Sequence, residues 1–238
     1  SLPVPAEEAG DEIATPALHS YGAKLFQELR DTCVVIRTKT GSGTGFFLEN
    51  GLVATNAHVV MVAPEKPAEA IEIHHMGIPY VGKVLCASVS EDVALVYLPF
   101  GKPANVDQYA NTIGDSHSLL PGDQVFTIGN ARGLGLTYAQ FTVKDVTKHQ
   151  GKVAPFREII LLNGSCQPGN SGGPLYNVEG AVVGICSFSP MAPQPVSIFV
   201  DKKSVWNTYM NIVEPGICGG VTIETLMSLL KGDRNDQV

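Results

Sequence analysis

A few positions hold residue types that could carry out acyl transfer. In Gly169-Asn170-Ser171-Gly172-Gly173-Pro174 a serine stands inside a glycine-rich turn. Such a turn can aim backbone N–H groups at one spot beside a hydroxyl. Attack on a carbonyl needs that pairing, a nucleophile plus donors for the oxyanion that forms. Gly, Asn, Ser and Pro also fill ordinary turns, so these six residues do not decide the matter alone. His58 follows the apolar stretch Leu52-Val53-Ala54-Thr55 and precedes two valines. An imidazole at a strand end can keep one nitrogen for a carboxylate and the other for a nucleophile. Asp92 opens the apolar run Val93-Ala94-Leu95-Val96. A buried carboxylate there would hold the imidazole in one tautomer and stabilise its charged form. Glu91 beside it reads as an exposed turn residue.

The elements that must position these residues are strands. Twenty-five glycines and 16 prolines spread over 238 residues point to many short strands joined by turns. Val34-Val35-Ile36 begins the pattern. Phe46-Phe47-Leu48 and Leu52–Thr55 flank Glu49-Asn50-Gly51, a hairpin signal. Further strands are predicted at Ile71–His75, Val81–Ala87 and Val93–Leu98. After a polar, non-periodic linker from Gly101 to Thr112, more follow at Gln124–Gly129, Thr137–Val146, Ile159–Leu162, Ala181–Ser187 and Val196–Val200. The ends differ. Leu18, Tyr21, Leu25 and Leu29 recur at helical spacing from Pro16 to Arg30, with Thr15 as N-cap. Ser204–Ile212 and Thr222–Lys231 are predicted helical, separated by Pro215-Gly216 and Gly219-Gly220. The expectation is an all-β chain with helical ends. Its parts are an arm and helix over 1–30, a β half over 31–112 carrying His58 and Asp92, a second over 113–203 carrying Ser171, and a helical tail over 204–238. A site between two halves would be a cleft that suits an extended peptide.

Composition narrows the partners. A net charge of −7 argues against nucleic acid, which calls for basic stripes. No apolar run approaches the roughly 18 residues that span a bilayer. Ser1-Leu2-Pro3-Val4-Pro5 lacks the basic and apolar regions of a signal peptide, and a trimmed chain would look the same, so the compartment stays open. The cysteines at 33, 86, 166, 186 and 218 read mostly as small core residues and lean towards a reducing compartment. His74 and His75 adjoin in a strand, point to opposite faces and lack a third metal ligand. Asn163-Gly164-Ser165 fits a glycosylation sequon, but a glycan there would obstruct the serine turn. Gly129–Gly135 lacks the Lys-Ser/Thr of a phosphate loop. Neither a metal nor an organic cofactor is expected.

Thr55-Asn56-Ala57-His58-Val59-Val60, Asp92-Val93-Ala94-Leu95-Val96 and Gly169-Asn170-Ser171-Gly172-Gly173-Pro174-Leu175 resemble the three catalytic segments of trypsin-like serine proteases. His, Asp, Ser is also the chain order of that group. The likeness covers roughly residues 30–203. Ile113-Gly114-Asp115-Ser116 with Pro121-Gly122-Asp123, and the stretch Ile128–Gly135, make it most similar to the HtrA/Deg family. The resemblance implies two six-stranded antiparallel β-barrels with N-terminal and C-terminal helices. It implies a His58, Asp92 and Ser171 triad, an oxyanion hole from the N–H groups of Gly169 and Ser171 with Asn170 beside them, and peptide hydrolysis through an acyl-enzyme. Polypeptides would be the partners, and the N-terminal helix, with Tyr21 and Phe26, would mediate a trimer. A substrate pocket would be lined by Ser165, Cys166 and Gln167 and by Cys186, Ser187, Phe188 and Ser189. Its floor, Ser165, is not acidic, so small to medium apolar side chains are expected rather than Arg or Lys. Cys166 and Cys186 would meet there as two packed thiols or as a disulfide. Asn170 stands where trypsins carry an aspartate that pairs with a newly cut N-terminus, and Val59 where they carry a cysteine. Loop rearrangement is therefore expected to organise the oxyanion hole. About 35 residues follow Lys203, too few for a PDZ domain. A viral polyprotein-processing protease and a silent chaperone or binding module on the same scaffold are the alternatives.

Overall fold

The computed structural model describes the backbone of residues 16–149, 157–188, 191–199, 205–213 and 216–232. After helix α1 (Pro16–Leu29), the first half forms β1 (Cys33–Thr38), β2 (Gly41–Phe47), β3 (Val53–Thr55), a single helical turn α2 (Ala57–Val60), β4 (Ile71–His75), β5 (Ile78–Ser88) and β6 (Val93–Tyr97). The strands close into an antiparallel barrel in the order β1-β2-β3-β6-β5-β4. The second half forms β7 (Gln124–Gly129), β8 (Thr137–His149), β9 (Arg157–Asn163), β10 (Pro174–Tyr176), β11 (Val182–Phe188) and β12 (Ile217–Thr222), followed by α3 (Ile223–Lys231). These strands also close, in the order β8-β9-β12-β11-β10-β7, every pair antiparallel. Two six-stranded barrels with a helix at each end were expected, and two are found.

Strand alternation sorts the apolar residues into separate cores. On β6, Ala94 and Val96 face the first barrel's interior with Val34, Ile36, Phe47 and Val53. Val93 and Leu95 point the other way, into a shared cluster with Phe126, Ile128 and Tyr176 of the second barrel and Leu25 and Leu226 of the helices. A strand buried on both faces reads as a continuous apolar run, which is why Val93-Ala94-Leu95-Val96 does not alternate. The same geometry sets Asp92, at the start of β6, where the barrels meet. Phe141, Val143, Ile160, Leu162 and Leu175 fill the second barrel. The hairpin signal at Asn50-Gly51 holds as well: both residues take positive φ (60° and 72°), and Phe47 pairs with Val53 across it.

Helix α1 lays its apolar side on the chain's own second barrel. Phe26 meets Tyr138 at 5.8 Å between ring centroids, and Tyr21 meets Phe126 at 6.0 Å. The aromatic pair expected to mediate a trimer is thus engaged within the chain. Thr15, its expected N-cap, lies outside the described residues.

Two elements correct the sequence reading. Ser204–Ile212 does not form a helix: Val205–Val213 is a strand, paired antiparallel with Met191–Phe199 in a sheet of its own. A nine-residue stretch rich in Val, Thr, Tyr and Ile suits either state locally, and long-range pairing decides it. The expected strand at 196–200 falls in the separate sheet as part of Met191–Phe199, while the second barrel takes in β12, beyond the expected boundary at 203. Its Gly219-Gly220 had read as a break between helices. A Cβ at Gly220 would lie 2.4 Å from Leu175 Cδ1 and 2.8 Å from Ile185 O, so glycine is there to let β12 fit between β9 and β11.

Candidate active site

β3 leads through Asn56 into α2, and this sets His58 at the mouth of the inter-barrel cleft. Asp92 takes φ +55°, a left-handed conformation that aspartate tolerates better than most residues, and its N–H closes a tight turn onto Val89 O at 3.3 Å. Three donors converge on its carboxylate. The His58 backbone N–H reaches Oδ1 at 3.0 Å, His58 Nδ1 lies 3.0 and 2.9 Å from the two oxygens, and the Ser187 hydroxyl donates to Oδ2. Asn56 Nδ2 holds the Asp92 carbonyl at 2.8 Å. A carboxylate facing Nδ1 puts the ring proton there and leaves Nε2 with its lone pair. The Asp92 side chain is 12% exposed, whereas 49% of the His58 side chain is open to solvent. One partner is shielded and the other can meet a substrate.

Ser171 sits in a turn squeezed between the barrels. Gly169 and Gly172 have φ +95° and +86°. A Cβ at Gly169 would lie 2.1 Å from Asn130 O, at Gly172 2.1 Å from Thr44 O, and at Gly173 2.6 Å from Ile128 O. No side chain fits at these three positions, which explains the glycines physically. Gly172 N–H donates to Cys186 O at 2.8 Å, and Cys186 N–H returns to Gly173 O at 2.8 Å. From the first barrel, Thr44 N–H donates to Ser171 O at 2.9 Å. The Ser171 hydroxyl donates to Ser187 O at 3.5 Å. Ser187 therefore touches both Ser171 and Asp92, bringing all three sequence candidates to one spot.

Around the turn, Pro168 O accepts from Arg132 N–H at 2.7 Å, and the Arg132 guanidinium grips Gln167 Oε1 at 3.1 and 3.0 Å. The loop Ala131–Gly133 is thus packed against the segment before the serine. The Asn170 N–H was expected beside the oxyanion donors. It instead donates to Gln167 O at 3.1 Å within the turn, because the same tight turn that exposes Ser171 consumes that amide.

The cysteines pair differently from expectation. Cys166 is bridged to Cys218, and the Cys186 sulfur lies 3.3 Å from that of Cys166. Cys218 had read only as a core residue. The entry of β12 beside β9 and β11 brings it under the segment before the serine, a contact invisible without the barrel topology. Burial pushes the Cys186 thiol up to about 12. Ser165 is exposed. Phe188 ends β11, and Ser189 lies outside the described residues. Beside the imidazole, a cavity of about 210 Å³ is lined by His58, Met61, Val62, Pro64 and Val89 among others. Apart from His58 and Asp92, the sequence reading had assigned none of that wall.

His74 bonds Glu72, and His75 bonds the carbonyl of Asp31. Asp115, His117 and Glu224 come within reach of one another, but Glu224 is occupied by the Ser116 amide and hydroxyl, and His117 by Glu158. Internal partners account for this cluster. No helix among the described residues is long and apolar enough to cross a membrane.

The family model of the trypsin-like peptidase domain matches residues 43–185. A probable periplasmic DegP-like serine endoprotease of Chlamydia trachomatis is 33% identical over 147 residues, 60% of this chain and 27% of that protein. The putative serine protease HhoB of Synechocystis is 30% identical over 180 residues, 74% of this chain and 41% of that protein. The chain thus spans well under half the length of these curated relatives. Among solved structures, the active form of the Rv3671c protease from M. tuberculosis superposes with a TM-score of 0.70 at 19% identity, covering 97% of this chain and 93% of that one. The HtrA-type protease AlgW with a tripeptide gives 0.66 at 21%, covering 90% and 64%. These relatives favour the HtrA/Deg resemblance over the viral alternative. The chain belongs to the trypsin-like peptidase family and is HtrA/Deg-like within it.

Proposed function

We propose that this domain is a serine endopeptidase that cleaves peptide bonds through a Ser171 acyl-enzyme. The observation that carries the reading is Ser187, whose hydroxyl donates to Asp92 and whose carbonyl accepts from Ser171, so that nucleophile and orienting carboxylate share one neighbour while the same carboxylate holds His58. Rotation about the Ser171 side-chain bond takes Oγ from Ser187 O to His58 Nε2, the nitrogen that Asp92 leaves unprotonated. His58 then takes the proton as Oγ attacks the carbonyl, and Asp92 stabilises the imidazolium. The N–H groups of Gly169 and Ser171 receive the oxyanion. Support for an open oxyanion site comes from the Pro168 carbonyl, which is turned to the Arg132 amide. His58 returns its proton to the leaving amine, and water repeats the sequence to release the acyl group.

The side chain before the cleaved bond is small to medium and apolar. A wall of bridged Cys166–Cys218 with a neutral Cys186 thiol supports this, since it offers no counter-charge to a basic side chain. The apolar cavity beside His58 takes a neighbouring residue of the same peptide. Labelling with a serine-directed fluorophosphonate tests the reading. Modification maps to Ser171 and disappears in His58→Ala. An unlabelled serine, or labelling unchanged by His58→Ala, would leave a silent scaffold as the better account.

A further inference from the structure

We infer that Thr44 is a positioning residue for the oxyanion donors, acting through its side-chain hydroxyl from the opposite barrel; the inference rests on the reading of Ser171 as nucleophile. Thr44 lies on β2 and is fully buried. Its Oγ1 donates to Gly169 O at 2.7 Å and accepts from Asn130 N–H at 2.9 Å. Its own N–H holds Ser171 O at 2.9 Å, and its carbonyl accepts from Thr55 Oγ1 at 2.7 Å, three residues before His58. One residue of the first barrel thus links the strand that delivers the imidazole to both ends of the Gly169–Ser171 segment.

The hydroxyl acts on the donors through the peptide planes. Gly169 joins two of them. The plane before it carries the Gly169 N–H, and its carbonyl, on Pro168, is held by Arg132. The plane after it has its N–H held by Gln167 O and its carbonyl held by Thr44 Oγ1. Gly169, without a Cβ and at φ +95°, is the softest link between them. Fixing both planes fixes the direction of the Gly169 N–H. The next plane, which carries the Ser171 N–H, is held by Gly173 N–H on Asn170 O at 2.9 Å. Removing the Thr44 hydroxyl would leave the second plane held at its N–H alone and deprive the part-buried Gly169 C=O and the buried Asn130 N–H of that partner. If the site asked only for a β-branched shape in a buried strand, valine would serve equally.

Thr44→Val, Thr44→Ala and Thr44→Ser separate these roles, with wild-type protein labelled at Ser171 as the reference. For a chromogenic peptide, kcat falls about 10- to 100-fold in Thr44→Val and Thr44→Ala while KM stays within about threefold, a smaller loss than deletion of a whole oxyanion donor. Thr44→Ser, which keeps the hydroxyl and loses the methyl, stays within about threefold of wild type. The affinity of a peptide boronate, which mimics the tetrahedral intermediate, falls in step with kcat/KM. The peptide's Kd measured in a Ser171→Ala background is unchanged by Thr44→Val, a split that a merely structural residue would not produce. Should the valine variant fail to fold, the alanine variant, which only makes space, carries the test. A kcat within threefold of wild type in either apolar variant, or a serine variant as impaired as valine, would overturn the role of Thr44. Absence of Ser171 labelling in the wild type would overturn the nucleophile reading and this inference with it.

Discussion

At the scale of single residues, the site depends on which atom each polar group faces. Asp92 gathers two donors from His58 and one from Ser187, and its backbone carbonyl is held by Asn56. That arrangement defines the imidazole tautomer before any substrate arrives. Asp92→Asn would offer an amide donor to Nδ1 and select the wrong tautomer. We expect kcat to fall by about 10⁴ with the fold retained, read from steady-state hydrolysis of a peptide and a matched melting curve. A fall of less than tenfold would mean that Asp92 does not orient the base.

At the scale of elements, β12 has more influence on the serine turn than its place near the chain's end suggests. It lies between β9 and β11, and Cys218 ties it to Cys166, five residues before Ser171. The bridge closes a long loop, its ends 52 positions apart in the chain. Native bridges of that kind contribute on the order of 2–4 kcal/mol, so reduction with a dithiol or Cys218→Ser should lower the melting temperature by several degrees. An unchanged melting curve after confirmed reduction would count against the pairing. Cys186 offers a separate check. Burial lifts its thiol to about 12, so it stays neutral at pH 8 and resists iodoacetamide in the native state. Its alkylation should rise about tenfold per pH unit above that while the fold persists, as peptide mapping by mass spectrometry would reveal. Rapid labelling of Cys186 at pH 7 would show that the segment opens.

At the scale of the whole molecule, the two barrels are joined by one apolar cluster that reaches from α1 through β6 and β7 to α3. Leu95 is fully buried there, between residues of both halves. Leu95→Ala should cost about 2–5 kcal/mol in urea unfolding. Activity should fall with it, because His58 and Ser171 stand on opposite walls and the cluster sets their relation. A cost below about 1 kcal/mol would mean that the barrels do not depend on a shared core.

The sequence by itself determined the class of the fold and the identity of the three central candidates. Short β-branched runs between glycine turns call for an all-β chain, the resemblance of the segments around His58, Asp92 and Ser171 to trypsin-like proteases implies the two barrels, and those three residues sit in local patterns that few other arrangements produce. Glycine also announced the serine turn, since only residues without a Cβ fit against Thr44, Ile128 and Asn130. Tertiary structure decided what depends on partners far apart in the chain. It made Val205–Val213 a strand and β12 the sixth member of its barrel, because pairing energy overrides weak local preference. It bridged Cys166 to Cys218 in place of Cys186, and it engaged the Asn170 amide with the Gln167 carbonyl within the turn. Thr44 carried no warning at all. A threonine in a glycine-rich strand becomes a contact with Gly169 and Asn130 only when the second barrel closes against the first, 125 residues further along the chain.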